Sequence, residues 1–296
     1  MSGLRMLCVV SFLNEGEHLR SCLQSIAAQE RFPEQLLLVD DGSTDDSARI
    51  AAEFAAAHPG VRLLRRPPRP PARDRLALAA ELRSFQWAIA QAEDGWEIAA
   101  KLDADLELSR DLLLIIERAF VCDPELGIAG AYLSVRDPQT GSHRRERCPP
   151  QHVRGATKFY RRSCLGEISP IPAILGWDTI DELAARRLGW RTASLDCPAG
   201  DTIHLRPTGD SDGRIRAHRR WGACAYGIGQ HPLWIVLSAA RRAGEHPRLL
   251  GSLAFLSGWS AAALHRRPRA APEVRAFARQ EQLSTIGRAL RQSILA

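Results

Sequence analysis

Lysine is almost missing from this 296-residue chain: Lys101 and Lys158 are the only two among its 40 basic residues, and arginine supplies the rest. GC-rich coding accounts for such a bias, and a net charge of +6 carried this way gives little support to a nucleic-acid surface. Cysteine is sparse and unpatterned. The seven thiols are odd in number and none stands at C-x-x-C spacing, which argues against a disulfide framework or a structural zinc site. Reduced thiols in a cytoplasmic compartment are expected. No N-terminal run joins a basic start, a long apolar stretch and a small-residue cleavage site; residues 7–13 are broken by Ser11 and end at Asn14-Glu15, so they read as a strand. No G-x-G-x-x-G follows that strand, which removes a Rossmann dehydrogenase. Internal repeats are also absent, and a 45% hydrophobic content excludes a disordered chain.

What is present in the first half is an alternation of short apolar runs and helical patterns. Strands are expected at 6–12, 35–39, 61–64 and 97–102, with helices at 15–29, 45–57 and 74–92. Asn14 and Glu17 stand at N-cap and N3 spacing for the first helix. This interleaving predicts an α/β fold whose mainly parallel sheet is covered by helices. Pro67, Pro68, Pro70 and Pro71 predict a stiff exposed loop, because proline suits neither a helix interior nor a central strand. A further strand is expected at 128–135, a helix at 178–188 and extended segments at 192–195 and 202–205. From Arg214 onward the pattern is helical and rich in Ala, Leu and Arg, so a catalytic domain over 1–209 and a helical appendage over 210–296 are expected.

Four motifs carry chemistry. The second strand runs out into Asp40-Asp41-Gly42-Ser43-Thr44-Asp45, and ligands of parallel sheets bind at the carboxyl ends of strands. Acidic and small residues there could also simply cap the next helix. The fourth strand ends in Lys101-Leu102-Asp103-Ala104-Asp105, two carboxylates at i and i+2 of the kind that hold a hard divalent cation on a phosphate, although solvated loops often contain the same pattern. Gly176-Trp177-Asp178-Thr179-Ile180-Asp181-Glu182 opens a helix, where acidic residues favour the dipole without needing another role. His204 follows a late strand, a position where a histidine is structural more often than it is a ligand.

Together with Val10-Ser11-Phe12-Leu13-Asn14-Glu15 on the first strand, these segments resemble the family-2 glycosyltransferases, inverting enzymes of the GT-A fold, over roughly residues 7–209. The resemblance implies transfer of one sugar from a nucleotide sugar, UDP- or GDP-linked, to a hydroxyl of a glycan or lipid-linked acceptor in cell-surface polysaccharide or glycolipid synthesis. It implies that Asp40 contacts the base, that Asp41 lies beside the nucleotide, and that Asp103 approaches the ribose or sugar. Phe12, Asn14, Glu15 and Lys101 would line the same site. Asp105 would ligate an Mg²⁺ or Mn²⁺ ion on the diphosphate, with His204 near that metal. The family's Glu-Asp helix motif is replaced here by Trp177-Asp178, and Asp178, Asp181 and Glu182 all fall within five residues. Asp178, at the loop-to-helix junction, is the first choice of base and Asp181 the second. Processive synthases carry Gln-x-x-Arg-Trp; here Ala217 precedes Arg220-Trp221, which favours a single transfer.

Residues 221–240 and 249–264 contain no charged side chain and are flanked by arginines. Glycine, serine and Pro232 make both runs poor membrane spans. They suit interfacial helices on an anionic leaflet, peripheral to the inner face of the cell membrane. Helices packed on the catalytic domain or in a dimer fit the same pattern. Two other function classes are weaker. A sugar-nucleotide pyrophosphorylase needs a Gly- and Arg-rich loop after the first strand, and here that loop is acidic; a basic nucleic-acid-binding protein is opposed by the acidic strand ends.

Overall fold

A computed structural model describes residues 3–67, 77–136, 141–206, 213–244 and 247–295. The chain divides into two compact units, one made of Met1–Pro170 with Leu188–Pro207 and the other of Ile171–Arg187 with Thr208–Ala296. Residues 171–187 therefore group with the C-terminal helices, a division that no single cut near residue 209 would describe.

The first unit is built on a seven-stranded sheet. Its strands are β1 (Met6–Phe12), β2 (Gln35–Asp40), β3 (Val61–Arg65), β4 (Ile98–Asp103), β6 (Leu126–Ala131), β9 (Thr157–Arg161) and β10 (Arg191–Leu195), in the order β10-β6-β9-β4-β1-β2-β3. β3, β2, β1 and β4 run parallel, while β9 is antiparallel to both β4 and β6. The central strands are continuous apolar runs because helices cover both faces. α1 (Leu19–Ala27) buries Leu19, Cys22, Leu23 and Ile26, the spacing of one helical face, and α4 (Leu112–Cys122) buries Leu112, Leu113, Ile116 and Phe120. α2 (Ser47–Ala57) and α3 (Ala80–Ile89) also pack against the sheet strands. Lys101 and Lys158, the two lysines, face one another across β4 and β9, both buried.

A second sheet, in the order β5-β11-β7-β8, comprises β5 (Leu106–Glu107), β11 (Thr202–His204), β7 (Leu133–Arg136) and β8 (His143–Arg145). The single strand expected at 128–135 is thus two, belonging to different sheets and separated at Tyr132, whose N–H donates to the Leu195 carbonyl at 3.1 Å. The first helix starts later than expected. Asn14 does not cap it; its side chain is used between loops, and His18 stands at the N-cap with no side-chain cap bond. α4, β9 and α5 (Arg162–Ile168) are additional to the elements expected from the sequence; α4 carries a helical apolar spacing, whereas β9 and α5 show no clear period of their own. Pro68, Pro70, Pro71 and residues 74–76 of the third expected helix lie outside the described residues, as do residues 209–212 of the expected boundary.

The second unit holds α6 (Trp177–Arg187), α7 (Arg214–Ile228), α8 (Pro232–Gly244), α9 (Arg248–Leu264) and α10 (Pro272–Leu295). α7 and α9 approach so closely that a Cβ on Gly222 would lie 1.8 Å from the Phe255 carbonyl oxygen, and one on Gly258 would lie 1.9 Å from that of Arg219. Arg186 ties α6 to α10 through Glu281, at 2.9 Å from Nε and 3.0 Å from Nη2. Among the described residues no helix is long and apolar enough to cross a membrane.

The tightest point of the large sheet is Gly130 on β6, where a Cβ would sit 2.1 Å from the Thr157 carbonyl oxygen. Gly130→Ala should therefore force β6 and β9 apart and destabilise the protein by about 1–3 kcal/mol, the usual cost of overpacking. Thermal denaturation checks this, and an unchanged melting temperature would contradict the close approach.

Candidate active site

Register brings the acidic motifs together. β1 lies between β2 and β4 with Phe12 opposite Asp40 and Ser11 opposite Asp103, so three strand ends emerge side by side. This carboxyl edge is where parallel sheets take ligands. The loop after β1 is latched to the loop after β2. Asn14 adopts a positive φ of 55°, a conformation asparagine tolerates, and its Oδ1 accepts the Thr44 N–H at 2.8 Å. The backbone N–H groups of Asn14, Glu15 and Gly16 donate to Ser43, Ser47 and Asp45 side chains at 3.1, 2.8 and 2.9 Å.

Each carboxylate of this edge has a distinct partner. Buried Asp40 accepts the N–H groups of Gly42 and Ser43 on Oδ1, at 3.1 and 2.8 Å, and so shapes its own turn. Asp41 pairs with Arg66 at 3.0 Å, and Arg66 also donates to Ser84 Oγ at 2.8 Å. Arg66 Nε is a buried donor with no acceptor among the described residues. Lys101 Nζ contacts Asp103 Oδ1 and donates to the Gly155 carbonyl at 2.7 Å.

The small sheet supplies the remaining groups. β5 pairs antiparallel with β11, setting His204 opposite Leu106, and the Leu205 N–H donates to the Asp105 carbonyl at 2.9 Å. His204 Nε2 then lies 3.4 Å from Asp105 Oδ2. Asp103, Asp105 and His204 each offer one ligand atom, all within 4.8 Å of one another. Two carboxylate oxygens and an imidazole nitrogen in one small volume fit a divalent cation such as Mn²⁺ or Mg²⁺. Arg206 shares the cluster, with Nε 2.9 Å from Asp105 Oδ2 and Nη2 on Glu15 Oε1.

Electrostatics follow from that crowding. Burial pushes the Asp105 carboxyl up, but His204 and Arg206 outweigh it and hold its pKa at about 2. Burial pulls His204 down, yet the carboxylates of Asp105 and Asp103 raise it overall. Glu15 is raised by burial, against the pull of Arg206. The site in the absence of ligand is therefore an ionised Asp105 carboxylate held between the His204 imidazole and the Arg206 guanidinium.

Asp178 and Asp181 belong to the second unit, on α6. Gly176, with φ of 84°, turns the chain into this helix. Asp178 is partly exposed in the first turn, whereas Asp181 and Glu182 are each only 1% exposed. Glu182 is 3.5 Å from Arg186. The neighbouring Cys224 thiol is pushed up to about 12 by burial, with Asp178 adding to the shift. Two site residues of the first unit, Arg66 and Arg206, lie outside the residues the motifs single out. Arg206 had a signal, since it lies two positions beyond His204 and side chains i and i+2 share a face of an extended segment. Arg66 had none.

A test of the Asp105 cluster is its pH dependence. With a folded pKa of about 2 and an unfolded value of about 3.9, Asp105 contributes stability above about pH 4 that is lost as pH falls towards the folded value. His204, raised in the fold, runs the other way, contributing below about pH 6.5 and losing it as pH rises. Arg206→Ala should lower the melting temperature most above about pH 4, with the gap to wild type closing in more acid solution. A gap independent of pH in thermal melts would show that Arg206 acts by packing rather than charge.

The model of Glycosyl transferase family 2 matches residues 7–171, more than half of the chain. Among curated proteins, the uncharacterized glycosyltransferase YibD of Escherichia coli K12 is 33% identical over 60 residues, which cover 20% of this chain and 17% of YibD. The match to that relative thus spans less than a fifth of its length. Among solved structures, the chain is similar to the mannosyltransferase PcManGT of Pyrobaculum calidifontis, in complex with GDP-Man and Mn²⁺, at a TM-score of 0.57 and 16% identity over 98% of this chain and 81% of that one. It is also similar to glucosyl-3-phosphoglycerate synthase of Mycobacterium tuberculosis, in complex with Mg²⁺ and UDP, at a TM-score of 0.50 and 19% identity over 73% and 76%. At such identities the structures speak for the fold, which is that of the GT-A glycosyltransferases. Strand ends that gather Asp40, Asp103 and Asp105 at one edge, and a family model matched across them, make this chain a member of glycosyl transferase family 2.

Proposed function

We propose that this protein transfers a single sugar, with inversion, from a UDP- or GDP-sugar to a hydroxyl of a glycan or lipid-linked acceptor. The observation that carries this reading is the cluster of Asp103, Asp105 and His204 on the same sheet edge as Asp40 and Asp41. Asp40 receives the base of the nucleotide: Oδ1 is engaged in its turn, and Oδ2 is the oxygen for a base N–H. Asp41 acts through Arg66, which it orients beside the nucleotide. Phe12, Asn14 and Glu15 wall the base and ribose side, and Lys101 holds Asp103 in position for the ribose or sugar.

Asp105, with His204 and Asp103, would hold the divalent cation. When bound, that ion neutralises the diphosphate as it leaves the anomeric carbon. Arg206, already on Asp105 and Glu15, is placed to follow the negative charge on this edge. The acceptor hydroxyl loses its proton to a carboxylate, and Asp178 suits that role because it alone of the three acidic residues opening α6 reaches solvent. Glu182 is held by Arg186 and Asp181 is buried. A peripheral site on the inner face of the membrane, in polysaccharide or glycolipid synthesis, completes the reading.

Asp105→Asn should abolish the metal-dependent part of nucleoside diphosphate binding while the far-UV spectrum and melting behaviour remain those of a folded protein. Calorimetric titration with UDP and GDP, with and without Mn²⁺, measures it, and unchanged metal dependence would remove Asp105 as a ligand. Asp178→Asn should lower turnover by about 10²-fold or more with donor affinity near wild type. If Asp181→Asn has that effect instead, the base is Asp181.

A further inference from the structure

The second unit carries an unusual combination of charge and exposed apolar surface. Residues 213–272 contain ten arginines and one carboxylate, Glu245. Within this stretch α8 turns Leu233, Val236 and Leu237 to solvent, at i, i+3 and i+4, while Ile235 and Ala239 are buried. On α9 the outward residues include Leu249, Leu253 and Leu256, again at helical spacing, with Leu249 68% and Leu253 62% exposed. The inner face of α9 is apolar as well, through Gly251, Ala254, Phe255, Gly258 and Ala262. A helix that is apolar all round is normally buried all round, and exposed apolar surface of this kind marks an interaction site.

The two helices form one hairpin. Ser252 Oγ donates to the Ala239 carbonyl at 2.8 Å, and Ala225, Ile235, Ala239 and Phe255 share a small core. Arg242 lies over the buried Phe255 ring at 4.4 Å and over the half-exposed Trp221 indole at 5.6 Å. Exposed Arg241 and Arg248 stand at the adjoining ends of α8 and α9. At 17 residues α9 is about 26 Å long, short of the roughly 30 Å hydrocarbon core, and it is too short to span.

We propose that the outward face of the α8–α9 hairpin docks flat on an anionic lipid bilayer, its leucines and Val236 entering the headgroup boundary and the surrounding arginines pairing with lipid phosphates. Charge selects this occupant. A two-fold dimer through the same face would oppose Arg241 and Arg248 to their own copies, whereas an anionic leaflet attracts each of them. Apolar burial and electrostatic attraction then act together, as in other interfacial helices. Such docking deepens the membrane contact proposed above and rests on that reading for its purpose, the delivery of a lipid-linked acceptor.

Flotation of the full-length protein with vesicles of phosphatidylcholine alone, or with about 30% phosphatidylglycerol, tests this without nucleotide. Binding to the anionic vesicles should exceed that to neutral ones by about tenfold or more and should weaken as salt rises. Val236→Asp combined with Leu253→Asp should reduce it by about tenfold or more. Calorimetric UDP–Mn²⁺ binding should be the same in both proteins, so that failure of docking and failure of the donor reading are told apart. Equal partition to both vesicle types, or undiminished flotation of the double variant, would overturn the inference. So would light scattering that shows a dimer in the wild type and a monomer in the double variant, since the face would then be a self-interface.

Discussion

Crowded carboxylates are the constraint around which the catalytic unit is organised. Glu15, Asp40, Asp41, Asp103 and Asp105 all arise from the edge formed by β1, β2, β4 and the turn that follows. Unit charges about 4 Å apart repel by about 4 kcal/mol in the effective dielectric near a protein surface, so the edge stands only with internal cations. Each acidic turn has one: Arg66 for Asp41, Lys101 for Asp103, and Arg206 for Asp105 and Glu15, with the His204 imidazole also beside Asp105. Asp40 is satisfied differently, by backbone N–H groups. The result is an edge that is strongly acidic in composition yet locally balanced.

Much of this balance comes from the small sheet. Neither β5 nor β11 exceeds three residues, and their pairing is what sets His204 and Arg206 beside Asp105. A weak local element thus carries the long-range contact, across about a hundred residues of sequence. Its support is the large sheet, from which β7 continues after the break at Tyr132, and the Ser109–Thr202 hydrogen bond at 3.1 Å. The helical unit is organised by another rule. There glycine lets α7 and α9 touch backbone to backbone, which leaves the leucines of α9 facing outward rather than into a core.

Local pattern was sufficient for the parallel half of the fold. Strands β1, β2 and β4 and helix α2 read directly as buried apolar runs and helical spacing, because covered parallel strands have few polar positions to confuse them. It was insufficient where an element takes its state from its neighbours. β9 is recruited antiparallel between β4 and β6, placing Lys158 in the core opposite Lys101, and no periodicity foretells a buried lysine pair. Asn14 had the spacing of a helix cap but serves the loop after β2, since the turn at 16–18 delays the helix.

The sequence by itself determined the chemistry at hand: acidic residues at two strand ends, a late histidine, three carboxylates opening a helix and an arginine-rich apolar tail. These follow from residue type and short-range spacing, which need no partner segment. Tertiary structure alone decided the pairings. Arg66 and Arg206 reach Asp41 and Asp105 from 25 and 101 residues away, and residues 171–187 join the C-terminal helices through Arg186 and Glu281. The physical reason is common to all of them. A charge buried in a fold must find its counter-charge wherever the topology brings one within about 3–4 Å, and that choice is made by strand order and register rather than by neighbouring residues in the chain.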